Sequence, residues 1–101
     1  MIDSMLRVSV EEFCEREEVT YKLVVSLVEL DVARPVEGER IEDWVFDATG
    51  AHWLEKAVRL HRELAVDWEA VGMLIELMRQ RDKLQRENAA LRQRLSRFLE
   101  D

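Results

Sequence analysis

The chain has little of what staples or anchors a protein. Its single cysteine, Cys14, excludes an internal disulfide and a multi-thiolate metal site. Set in "EEFCERE" with no adjacent cation that would lower its pKa, it reads as a small buried filler. No apolar run approaches the ~18 residues that a membrane helix needs, and the start "MIDSMLRVSVEEF" lacks the charged-then-apolar order of a signal peptide. These absences predict a cytoplasmic protein with no membrane partner. Also missing are a glycine-rich phosphate loop, HExxH, CxxC, and a Ser/His/Asp set marked by local sequence. The two histidines, His52 and His61, fall on different sides of one helix by the 100° rule. The expectation is a protein that is not an enzyme, with no catalytic residue, no metal and no cofactor.

What is present describes a soluble helical protein, 48% hydrophobic and 37% charged. Its 101 residues suffice for one small domain with a marginal core, so an element that leaves the body needs a partner. The net charge of −7 is unevenly spread, at −9 through Glu55 and +2 from Lys56 onward. An anionic first half repels phosphate and favours a basic protein partner.

Ser9 followed by Glu12 has the form of a capping box, and predicts a short helix burying Val10, Phe13 and Cys14. After the acidic break "EREEV", Thr20 caps a second helix with apolar residues at Leu23, Val24, Leu27, Val28 and Leu30. Two short helices across a tight break make a helix-turn-helix candidate. In "DVARPVEGERIEDWVF", Arg34-Pro35 reads as extended, Glu37-Gly38 as a turn, and Trp44 to Phe46 as strand, which together predict a small β-hairpin or wing. Asp47 then caps a third helix burying Trp53, Leu54, Ala57, Val58, Leu60, Leu64 and Ala65. The three tryptophans sit where elements meet and read as core or boundary packing. Residues 1–66 therefore form a body, and residues 67–101 a long last helix capped by Asp67.

That helix carries heptads. With Leu74, Arg81, Asn88 and Leu95 at a, every d position is apolar: Leu77, Leu84, Leu91 and Phe98. The seam Leu77, Leu84, Asn88, Leu91, Leu95 and Phe98 predicts a homodimer. A basic leucine zipper would need Lys and Arg ahead of the coil, but "DWEAVGMLIELM" has none. A winged DNA reader is the other layout of this kind, yet the second helix "TYKLVVSLVEL" offers only Lys22, and the wing surrounds Arg40 with acids. The expectation is no nucleic acid, with a MerR-like transcriptional regulator that binds DNA as a dimer as the alternative.

The segments "WVFD", "RLHRELAVDW" and "ENAALRQRLSRF", together with "EFC", resemble the CbpM family of chaperone modulators. The likeness runs from about Asp43 to Phe98. It implies a mostly α, MerR-like helix-turn-helix with a small β-hairpin wing and a long C-terminal helix. It also implies binding to the J-domain of a CbpA-like co-chaperone, a DnaJ homologue, and inhibition by masking the basic surface that meets DnaK. On charge, the expected J-domain surface comprises Glu15, Glu17, Glu18, Glu29, Asp31, Glu37, Glu39, Glu42 and Asp43.

Overall fold

The computed structural model describes residues 6–100; residues 1–5, which carry part of the signal-peptide reading, lie outside the described residues. In order, the elements are β1 (Arg7–Ser9), α1 (Val10–Glu17), α2 (Tyr21–Glu29), a 3-10 turn (Ile41–Asp43), β2 (Val45–Asp47), α3 (Ala48–Leu64) and α4 (Trp68–Glu100). This is the mostly helical class that the sequence predicts, with a helix-turn-helix, a small β element and a long last helix.

The helix-turn-helix follows from its caps. Extended backbone at Ser9 places its Oγ to accept from the Glu12 N–H at 3.1 Å, and the hydroxyl donates to Glu12 Oε1 at 3.3 Å. Helix α1 stops where Glu18 turns left-handed, φ 57°. Thr20 then accepts from the Leu23 N–H at 3.1 Å and opens α2. Val10, Phe13 and Cys14 of α1 meet Val24 and Leu27 of α2 in the core. Burial pushes the Cys14 thiol up, which suits an inert filler.

The wing is shorter than a ribbon, and its neighbour comes from elsewhere in the chain. The Val36 N–H donates to the Val45 carbonyl at 2.7 Å, and the Val45 N–H to the Glu37 carbonyl at 3.0 Å, a bridge rather than a second strand. Gly38 makes the turn at φ 99°, where a Cβ would run into the Asp43 carbonyl and the Trp44 nitrogen. The other edge of β2 pairs antiparallel with β1, in the register Arg7↔Asp47, Val8↔Phe46 and Ser9↔Val45. Period-2 alternation turns Val8 and Phe46 inward together, and both are buried.

Asp47 caps α3 by accepting from the Gly50 N–H at 2.8 Å. Leu54, Ala57 and Val58 are buried, and Trp53 and Leu60 pack half-buried against them. The apolar face does not run to Leu64 and Ala65 as the spacing predicts: Leu64 is 54% exposed, and Ala65 leaves the helix left-handed at φ 54°. The cause is the junction with α4. His61 Nδ1 donates to the Val66 carbonyl at 2.8 Å, and the imidazole stacks on Trp68 at 3.9 Å. These contacts turn the chain before another helical turn can form, and Asp67 caps α4 through the Ala70 N–H at 2.8 Å. A left-handed residue with a Cβ costs roughly 1–2 kcal/mol, so Ala65→Gly should raise stability by about 0.5–1 kcal/mol after glycine's own entropy cost. A higher urea midpoint at unchanged m-value is the measurement that checks it.

Helix α4 has two unlike halves. Val71 and Ile75 are fully buried in the core, whereas every residue from Lys83 to Glu100 is exposed. Its 33 residues span about 50 Å at 1.5 Å per residue. The molecule is accordingly 56 Å long with a radius of gyration of 16.8 Å, against about 13 Å for a compact body of this length. The projecting half does not fold back onto its own body.

Candidate functional site

The expected acidic residues are all on the body, but they do not form one cluster. Glu11 and Glu15 on α1 and Glu42 in the 3-10 turn lie near enough to Tyr21, the first residue of α2, for their charge to act on its phenol. Desolvation, and then the negative charges of Glu11, Glu42 and Glu15, raise the Tyr21 phenol above its ordinary value. Tyr21 is still exposed, as is the neighbouring Ile41. The result is an acidic surface with an apolar centre, where carboxylates steer a basic partner and apolar groups hold it.

Other members of the set stand apart. Glu17 is half-buried, its carboxylate 3.5 Å from Arg16 Nε and its carbonyl accepting from Arg62 at 2.5 Å. Asp31, left-handed at φ 62°, lies 3.7 Å from Arg34, and its carbonyl accepts from Arg79 at 2.6 Å. Those arginines blunt the acid at both places. Glu18, Glu29, Glu37, Glu39 and Asp43 are exposed, and none of them is among the carboxylates that act on Tyr21.

The spacing does signal Glu11, which was missed: it precedes Glu15 by four residues, and so shares its face of α1. Tyr21 carries no such signal, because an aromatic residue at a helix start reads equally well as packing.

The positive charges on the same body are few. Lys22 is the one cation of α2, and Arg40 of the wing lies 3.9 Å from a Glu42 oxygen. A helix-turn-helix that grips DNA neutralises several phosphates with Lys and Arg. Among the described residues no group of three or more His, Cys, Asp or Glu is placed to hold a metal ion, and no helix is long and apolar enough to cross a membrane.

The seam residues Leu77, Leu84, Leu91, Leu95 and Phe98 are between 57% and 77% exposed along α4. Asn88 is also exposed. Met73, 69% exposed, extends the stripe toward the body; it was missed because it stands outside the a and d positions.

Residues 8–93 match the family model described as MerR HTH family regulatory protein. The chain is 34% identical over 96 residues to the chaperone modulatory protein CbpM of Pseudomonas putida, covering 95% of this chain and 94% of the relative. It is 36% identical over 99 residues to CbpM of Citrobacter koseri, covering 98% and 97%. The chain belongs to the CbpM family. Within the MerR-type helix-turn-helix matched by the family model, the second helix of this chain carries one cation, Lys22. Both of these relatives are named as chaperone modulatory proteins.

Proposed function

We propose that this protein binds the J-domain of a CbpA-like co-chaperone in the cytoplasm and inhibits it by covering the basic surface that meets DnaK. The observation that carries the reading is the convergence of Glu11, Glu15 and Glu42 on exposed Tyr21, an anionic and apolar face complementary to a basic helix. Charge sets the encounter rate, and burial of Tyr21 and Ile41 sets the residence time. The protein acts as a homodimer through the exposed stripe of α4, because a single chain leaves those leucines in water.

Titration calorimetry of the full chain against the isolated J-domain of its own co-chaperone tests this, at about 0.05 M and 0.5 M salt, with duplex DNA alongside. Micromolar or tighter binding that weakens with salt, and no binding to DNA, is the expected result. Salt-sensitive binding to DNA with no heat from the J-domain would replace this reading with a MerR-like transcriptional regulator.

A further inference from the structure

Helix α2 has unlike ends. The acidic face lies at its start, whereas the loop after its last turn opens onto a cavity of about 410 Å³. Arg34 stands at this cavity with its side chain 84% exposed. Thr49 and Trp53 of α3 line another side, and Arg79 of α4 a third. Two carboxylates, Asp31 and Glu76, also line it, but neither neutralises Arg79.

The state of Arg79 decides what the cavity accepts. Its Nη2 donates to the Asp31 carbonyl at 2.6 Å, and its guanidinium carbon lies 5.7 Å from the centre of the Trp53 ring. Its Nε is buried and has no hydrogen-bond partner. Asp31 spends its carboxylate on Arg34 at 3.7 Å, and no carboxylate among the described residues is within ion-pair distance of Arg79. A partly buried guanidinium with an unmet donor and no counter-ion is costly. Two features therefore favour an oxygen anion, this arginine and a second one at the rim; the amino-terminal turn of α3 adds nothing, because the Asp47 carboxylate already caps it. The planar fork of arginine selects a carboxylate in particular.

We propose that this cavity receives an Asp or Glu side chain of the partner protein, held by Arg79 and Arg34 against Trp53. The proposal rests on the J-domain reading above and adds a polarity to it. The nine residues of α2 separate the two sites by about 13 Å. A partner that reaches both sites presents basic residues at one end and a carboxylate about two to three helical turns away. The two ends fix its direction, which a uniform acidic face would leave free.

The test is calorimetry of the full chain against the isolated J-domain, with Arg34→Glu and with Arg79→Met, which keeps the packing stem. In parallel, each exposed Asp and Glu of the J-domain is changed to Lys, one at a time. Arg34 is a rim residue, so its variant folds. Arg34→Glu should weaken binding about tenfold, and one J-domain Lys variant should weaken the wild type similarly while restoring affinity to Arg34→Glu. Wild-type binding with Arg34→Glu equal or tighter would overturn the carboxylate site and leave the J-domain reading standing. No binding by the wild type would overturn both.

Discussion

Reversing Glu11, Glu15 and Glu42 together to Lys should lower J-domain affinity about a hundredfold at low salt, at roughly 1 kcal/mol per reversed charge. Glu11, Glu15 and Glu42 are exposed, so the melting temperature should scarcely move. The loss should shrink to a few-fold near 0.5 M salt, where the Debye length is a few ångströms. A control reversal of Glu37 and Glu39, which lie in the wing loop and are not among the charges that act on Tyr21, should cost less than half as much in free energy. Equal losses from both sets would mean that net charge alone attracts the partner, and that the convergence on Tyr21 is incidental. Unchanged affinity at low salt would remove electrostatics from the proposed function altogether.

The second large effect belongs to α4. Leu84→Asp combined with Leu91→Asp should convert a dimer to a monomer across micromolar concentrations. Each buried leucine contributes about 1.5–3 kcal/mol, and a two-fold seam counts each of them twice, so dissociation should strengthen by at least on the order of 10⁴. Leu84 and Leu91 are 63% and 61% exposed within one chain, and so the body should stay folded. An isolated helical segment of about 18 residues is marginal in water. The monomer should therefore lose helical circular dichroism from α4 while the burial of Trp44 and Trp53 persists. Sedimentation and near-ultraviolet dichroism together read both changes. A wild type that is already monomeric would rule out the seam.

Local signals made most of the fold legible. Ser9, Thr20, Asp47 and Asp67 each cap the helix that the sequence assigns to them, because an N-cap is decided within three residues and does not depend on the rest of the chain. The pairing of Val8 with Phe46 was not legible. A three-residue strand ahead of a helix has no period to detect, and its partner lies beyond two helices and a wing. The exposure of Leu64 was hidden for a related reason: helical spacing marks it apolar, and only the His61 and Trp68 stack, a tertiary contact, ends the helix beside it.

The candidate site divides along the same line. Net charge indicated which half of the molecule is acidic, and most of the expected acids there are exposed. Charge per residue cannot separate Glu42, which acts on Tyr21 although Arg40 lies 3.9 Å from it, from Asp31, whose neighbours are two arginines. That difference depends on which elements the fold brings together, as does the meeting of Arg79 with Trp53 from separate helices.

The small sheet bears on the order in which a nascent chain acquires structure. Strand β1 comes first among the described residues, and its ladder partner there is β2, with Arg7, Val8 and Ser9 opposite Asp47, Phe46 and Val45. During synthesis β1 therefore waits, unpaired, until β2 has left the ribosome tunnel, while α1 and α2 between them can already form. Val45 bonds the wing at Glu37 on its other side, so its arrival closes two loops of very different length at once. Emergence of β2 thus ties the two helices to the wing, and α3 and α4, which follow it, complete the core.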